Sequence, residues 1–406
     1  MTPPKYLGIA LILFVASFGY FVDVYDMWVF AAVRVASLKA LGVPADQLLG
    51  KGMLLLNLQM TGMLIGGILF GLAGDRYGRT RVMFLSILTY SLATLANAYA
   101  PNLETYAALR FLSGFGLARE LGLGTTLISE ILPKEKRGLG VGLLVGFGVM
   151  GPMAAGVCAQ LFDWKTCYLI GGVLGLALLL LRVRVAESPL FNELEKKAAR
   201  RGGLRLLFQD RERVLRFLGC VTLGLPTWFV MGILVTFSEE ILKGAGLPPL
   251  AAPVLLIYCN IAMPIGNFAT VGISQVFRNR RATMAGFTLL AFACVLTLFL
   301  LPRPVGVGDI KIIYMAMAFG VGSWVLMAVI SAESFGTNLR ATVATTVPNF
   351  ARASVIPMTL GLELLKTIMP LPAAVLTLAF ICFALPLGAL IYLKETFGRP
   401  LEYLEE

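Results

Sequence analysis

The sequence predicts an all-α polytopic membrane protein: twelve transmembrane helices in two pseudo-symmetric six-helix bundles. Three observations lead there. First, 58% of the 406 residues are hydrophobic and only 14% are charged. Most of the chain falls into apolar runs of roughly 20 residues, the length that crosses a bilayer. Second, loop signatures occur twice. Glu130, Pro133, Arg137 and Gly138 stand in one. Glu333, Gly336, Arg340 and Ala341 repeat its Glu-to-Arg spacing of seven, 203 positions later (333 − 130). Likewise Gly71–Arg81 is echoed by Gly272–Arg281, 201 positions on (272 − 71), with the Gly-to-Arg spacing of Gly71 and Arg79 kept by Gly272 and Arg280. Third, the cations gather in alternate connections. Two similar halves of membrane helices are the arrangement expected of a carrier.

The twelve spans are predicted at about 7–31, 52–73, 82–99, 103–132, 139–162, 166–184, 215–241, 252–277, 283–301, 311–335, 342–366 and 372–393. Each must be a helix, because lipid offers backbone groups no hydrogen-bonding partner. Arg76, Arg79 and Arg81 follow span 2, and Lys134, Lys136 and Arg137 follow span 4. Arg278, Arg280 and Arg281 follow span 8, Arg340 follows span 10, and Lys394 and Arg399 follow span 12. Seven further cations lie between spans 6 and 7, whereas the odd-numbered connections carry few. The positive-inside rule therefore places both termini and the long central loop in the cytoplasm, and the membrane is expected to be the plasma (cell inner) membrane. The net charge of +11 is thus a topology signal, not a nucleic-acid footprint. The domains read as 1–186 for the first bundle, 187–213 for a cytoplasmic linker, 214–394 for the second bundle and 395–406 for a tail.

Span 1 carries Asp23 and Asp26, three residues apart and on one face. It is too long, and with two aspartates too polar, for a cleavable signal peptide. An ionisable group in hydrocarbon costs roughly 2.5–3.5 kcal/mol or more, so each needs a reason. There is no histidine, so any proton coupling falls to Asp or Glu. Asp23 and Asp26 suit a carboxyl that takes up and releases a proton; the bland alternative is a fixed ion pair with Arg110 on span 4. Farther along span 4, Arg119 lies opposite Arg110, and Glu120 lies about 80° away from Arg110. Glu120 is a candidate for the cavity wall and for coupling, with a structural role as the alternative.

The second half has nothing equivalent to Asp26 or Arg110, since Phe229 and Ile313 stand 203 positions later. Protons are therefore expected in the first half and substrate selection in the second. Span 11 carries a polar stripe of Thr345, Asn349, Arg352, Thr359 and Glu363, which faces water or other helices, not lipid. Arg352 is the candidate for an anionic substrate group, because guanidinium holds carboxylate in a bidentate manner. Trp228 on span 7, Tyr258 and Asn260 on span 8 and Trp324 on span 10 are candidates for an aromatic and amide wall, with packing the alternative for each. Glu363 and Lys366 read as an outer gate or a surface pair. In the cytoplasmic connections, Asp75, Arg79, Glu130 and Arg137, with Glu333 and Arg340 in the repeat, can form an ion cluster that gates the carrier or merely braces it.

No nucleophile–base pair, phosphate loop or paired metal ligands occur, so the chain does not read as an enzyme. No cofactor, metal or nucleic acid is expected. The six cysteines sit in or beside apolar runs without ligand spacing. The expected partners are a small organic substrate, protons and the lipid bilayer, with the protein a monomer.

Four linked signatures give the chain a resemblance. Gly71-Leu-Ala-Gly-Asp75-Arg76-Tyr-Gly78-Arg79-Thr-Arg81 resembles the loop signature of the major facilitator superfamily. Arg110…Gly114-Phe-Gly116…Glu130-Ile-Leu-Pro133…Arg137-Gly138, then Glu187-Ser188-Pro189, then Glu395-Thr396-Phe-Gly398…Leu401-Glu402 resemble its sugar porters, organic-ion transporters and metabolite–proton symporters. Asp23-Val-Tyr-Asp26 looks like the Asp-Gly-x-Asp of aromatic-acid–proton symporters, with Val24 in place of glycine. The resemblance implies a two-domain secondary transporter working by rocking-bundle alternating access with a midplane site, and pairs Asp26 with Arg110 in coupling. The helix-7 glutamine pair of sugar porters is absent, and Gly224-Leu-Pro226-Thr227-Trp228 stands there instead. The expectation is proton-coupled import of a small organic ion bearing a carboxylate. A proton-driven exporter of drugs or metabolites is the alternative, and a transport-dead receptor the third reading.

Overall fold

The structure is a computed structural model that describes residues 4–77, 79–117, 137–186, 207–300, 304–398 and 405. Among them all regular structure is helical, as lipid requires. The chain divides into two units, Met1–Arg200 and Arg201–Glu406. Eight of the twelve segments carry a described stretch long and apolar enough to cross a membrane alone.

In the first unit the spans are single helices. They run Pro4–Ala40, Leu48–Tyr77, Arg79–Asn97, Leu103–Leu117, Arg137–Leu161 and Trp164–Ala186, the fourth given as far as it is described. Span 1 continues well past residue 31, where the sequence placed its end. Hydropathy falls there at Arg34, Ser37 and Lys39, but the helix does not. Arg34 is 1% exposed, with Nη1 donating to the Leu48 carbonyl at 3.3 Å. A cation satisfied by main chain lets the helix go on buried.

Glycine sets how the helices touch. A Cβ on Gly62 or Gly66 of span 2 would overlap the carbonyl of Phe111 or Phe115 on span 4, and one on Gly114 would overlap the Gln59 carbonyl. Backbones meet there with only hydrogen between them, the close approach that drives helix association without a hydrophobic effect. The second unit repeats the device. Gly266 of span 8 lies against the Phe319 carbonyl of span 10. Gly116 packs on Ser86 and Tyr90 of span 3, and Gly320, 204 positions later (320 − 116), packs on Ala291 of span 9. The repeat in the sequence is a repeat in packing.

The second unit departs from the first in its backbone. Spans 8, 9 and 12 are single helices, Ala252–Val276, Arg280–Leu300 and Leu371–Tyr392. Span 7 is broken into Arg211–Thr222, Leu225–Trp228, a π-helical stretch Phe229–Val235 and Ser238–Gly244. Span 10 runs Val307–Gly320, a 3-10 turn Val321–Ser323, then Trp324–Glu333. Span 11 is Thr337–Ala353 and Val355–Leu365.

Two breaks have one cause. Pro226 and Pro357 each stand four residues after the last residue of the segment before the break (226 − 222 and 357 − 353). Proline has no N–H for that carbonyl, and its ring crowds it. In span 10, the Thr227 hydroxyl of span 7 donates to the Val321 carbonyl at 3.2 Å. The breaks converge: a Cβ on Gly224 would lie 2.6 Å from Ala351 Cβ, 3.1 Å from Met327 Sδ and 3.2 Å from Trp324 Cζ3.

Candidate functional site

Two clusters hold the predicted residues, one in each unit. In the first, Asp26 is fully buried and Asp23 is 6% exposed. The Thr94 hydroxyl of span 3 donates to Asp26 Oδ1 at 2.6 Å, and Oδ2 has no hydrogen-bond partner among the described residues. Asp23 has a contact of its own. Arg110 is also fully buried. Its charge acts on Asp26, yet the two make no ion pair: Nε, Nη1 and Nη2 all lack a hydrogen-bond partner among the described residues.

Aromatic rings surround the guanidinium instead. Cζ lies 5.0 Å from the Tyr168 ring centre and 5.7 Å from that of Phe30. Tyr106 packs edge-on against Phe30, Trp164 and Tyr168. Its hydroxyl shares a 2.5 Å hydrogen bond with that of Tyr168 and donates to Ser37 Oγ at 3.1 Å. Cation–π contacts contribute about 0.5–2 kcal/mol each. Leaving a charge dry costs several kcal/mol, so the rings offset only part of it.

The second cluster gathers where spans 7, 10 and 11 break. Trp228 and Trp324 meet edge-to-face, with centroids 6.2 Å apart at 77°. Arg352 is 9% exposed, in the last turn before the span-11 break, where a cation complements the carbonyl end of a helix. Its Nη1 donates to Asn349 Oδ1 at 3.5 Å, one turn back. Asn260 is buried and spends its amide on the Leu256 carbonyl of its own helix, 2.8 Å away. Tyr258, two residues earlier, is engaged elsewhere: Lys311 Nζ lies 4.7 Å over its ring and donates to its hydroxyl at 3.4 Å. Glu363 and Lys366 form an i,i+3 ion pair at 3.4 Å.

The repeated loop signature is fully described only in the second unit. Arg280 clamps Glu333 in a bidentate pair, Nε–Oε2 at 2.7 Å and Nη2–Oε1 at 2.8 Å, with its guanidinium over the Phe397 ring. Arg340 donates to the Ala332 carbonyl at 3.1 Å. The tail joins in. Glu395 accepts the backbone N–H groups of Arg280 and Arg281 at the start of span 9, and those of Thr396 and Phe397. Burial opposes its charge, but these donors outweigh it and hold the carboxyl below the usual glutamate value. Glu405 accepts from Arg216 at 2.8 Å and from the Gly336 N–H. In the first unit, Glu120 and Glu130 lie outside the described residues, as do Arg119 and the side chains of Asp75, Arg79 and Arg137; in the second, so does the side chain of Thr345.

Four participants were missed from the sequence: Thr94, Tyr106, Tyr168 and Lys311. Lys311 alone carried a signal, a cation inside an apolar run, but it fell on the predicted first residue of span 10.

The profile of the Major Facilitator Superfamily matches residues 16–356. Among curated relatives, the niacin transporter NiaP of Acinetobacter baylyi is 32% identical over 182 residues, 44% of this chain and 40% of its own length. The 4-hydroxybenzoate transporter PcaK of Pseudomonas aeruginosa is 34% identical over 147 residues, 35% of this chain and 33% of its own. The chain thus spans less than half the length of these two relatives in each match. The crystal structure of a D-xylose-proton symporter superposes with a TM-score of 0.71 at 16% identity, covering 97% of this chain and all of the other. Helical spans in repeated halves, buried charges within them and a family match over most of the sequence lead to one conclusion: the chain belongs to the major facilitator superfamily and is an integral membrane transport protein, not an enzyme.

Proposed function

We propose that this transporter is a proton-coupled symporter that imports a small organic ion bearing a carboxylate, by alternating access. The observation that carries this reading is Asp26: a fully buried carboxylate with one oxygen bonded to Thr94 and the other unbonded, beside a buried cation. Ionisable groups inside membrane spans mark proton and ion pathways, and a carboxyl with one oxygen left unbonded has a place for a proton. Asp23, Arg110 and Glu120 assist it. Arg352, with Asn349 as its neighbour, receives the substrate carboxylate, and Trp228, Trp324, Tyr258 and Asn260 select the remainder. Asp75, Arg79, Glu130, Arg137, Glu333 and Arg340 gate the cytoplasmic side. The substrates in the relatives' names, niacin and 4-hydroxybenzoate, support a carboxylate over a sugar. The carrier acts as a monomer in the plasma membrane, with both termini cytoplasmic.

The test is uptake into proteoliposomes of labelled nicotinate, 4-hydroxybenzoate, dicarboxylates, sugars and organic cations, with and without an inward proton gradient. Gradient-driven accumulation of an acid, lost in Asp26→Asn, is the expected result. Accumulation of cations only under the reversed gradient would replace symport by export.

A further inference from the structure

The bend between spans 5 and 6 holds two thiols that the transport reading leaves unused. Cys158 stands three residues before the end of span 5 at Leu161, and Cys167 three residues after the start of span 6 at Trp164 (161 − 158 and 167 − 164). Only Phe162 and Asp163 lie between the two helices. The cysteines are thus about one turn back from the bend on either side, and their thiols hydrogen-bond each other. Tyr25 of span 1 holds this arrangement. Its ring lies against Gly171, one turn farther along span 6, where an added Cβ would come 3.0 Å from Cε1. So placed, its hydroxyl donates to the Cys167 carbonyl at 2.9 Å and also reaches the Cys158 thiol. The other four cysteines have no thiol beside them among the described residues.

We infer that Cys158 and Cys167 are an oxidisable pair that closes into a disulfide and staples the outer end of this hairpin. The outer placement rests on the topology proposed above, which follows from the charge pattern. Disulfides form and persist in the oxidising compartments outside the cytoplasm. The co-reactant is a low-molecular-weight disulfide, RSSR. Cys158 is 7% exposed and Cys167 is sealed, which sets the order of events. The Cys158 thiolate attacks one sulfur of RSSR, the S–S bond breaks, and RSH leaves with the proton that Cys158 gave up. Cys167 then loses its proton and attacks the Cys158 sulfur of the mixed disulfide, expelling a second RSH. The pair gives up two electrons and RSSR takes them, so two thiols and one disulfide become one disulfide and two thiols. The new bond ties two spans of one unit in a contact they already make. It stabilises the fold by restricting the unfolded chain.

The experiment incubates the purified full-length protein with oxidised glutathione or with dithiothreitol at about pH 8.5, near the ordinary thiol pKa. The protein is then denatured, and its free thiols are counted by alkylation with a polyethylene-glycol maleimide. After reduction all six thiols should react. After oxidation two fewer should, and a proteolytic fragment should join Cys158 to Cys167. Cys158→Ser should lose no thiol, because Cys167 is sealed, whereas Cys167→Ser should trap glutathione on Cys158. Oxidised wild type should unfold at a higher temperature than reduced wild type, with no such difference in Cys158→Ser. Six free thiols in oxidised wild type would overturn the inference with no variant needed. So would a crosslink between any other two cysteines, or a closed pair that lowers the melting temperature. Oxidised glutathione does not cross a bilayer, so the pair should close in whole cells. Closure in inverted vesicles alone would overturn the outer placement and the topology it rests on.

Discussion

The two halves share a packing plan and differ in what they do with it. Both fasten span 2 to span 4, or span 8 to span 10, through glycines against carbonyls. On that common frame the first half carries buried charge, Asp23, Asp26 and Arg110, on helices that run unbroken through the described residues. The second has broken backbone instead, with spans 7, 10 and 11 interrupted at one level around Gly224. A repeat can thus diverge along separate axes. One copy has placed buried ionisable side chains on continuous helices, and the other has broken its main chain where Trp228, Trp324 and Arg352 stand.

The largest effect that would sharpen this contrast is at Asp26. Asp26→Asn should reduce gradient-driven accumulation by about a hundredfold or more, the scale of removing an essential proton carrier, while exchange of substrate across equilibrated membranes persists. Equal loss of exchange would mean that Asp26 merely props the fold. Next come the seams. Gly66→Val and Gly266→Val should both destabilise the protein, by at least the 1–3 kcal/mol or so typical of overpacking, read as thermal unfolding in detergent. A harmless Gly266→Val would break the shared plan.

The breaks should show in hydrogen exchange. Amides near Leu223, Val321 and Ser354 should exchange faster than those in the middle of spans 1 and 4, because they lie beside interrupted ladders. Uniform protection in both halves would remove the contrast. The smallest effect concerns the tail. Glu395 has a lowered folded-state value, so its contribution is present above the ordinary glutamate pKa of about 4.3. It is lost as pH falls through the lowered value. Glu395→Gln should lower the melting temperature slightly at pH 7 and narrow the gap from wild type at strongly acid pH.

Much of the fold was legible because a membrane leaves few choices: an apolar run of sufficient length must be a helix. Asp26 and Arg110 stood out for the same reason, as charges inside such runs. Thr94 did not. Hydroxyls in membrane helices commonly bond their own backbone, as Thr89 does to the Leu85 carbonyl and Thr297 to that of Ala293, so nothing marks the one that reaches a carboxylate on another span. The helix breaks were hidden as well. Pro226 and Pro357 sit at breaks, but Pro152, Pro264, Pro348 and Pro386 stand inside unbroken helices. Proline alone does not tell the two apart. Span 1 ran long because Arg34 found a carbonyl that no local pattern announces.

The glycine seams have a historical consequence. A contact made of main chain has no rotamers to rearrange and no side-chain shape to match, so it tolerates replacement of almost everything around it. A lineage can exchange the outward-facing surface of a helix pair, and the lining of its cavity, while a handful of glycines hold the spacing. The backbone then outlasts the sequence. A chain built this way can share only 16% of its residues with the D-xylose-proton symporter and still superpose on it over 97% of its length.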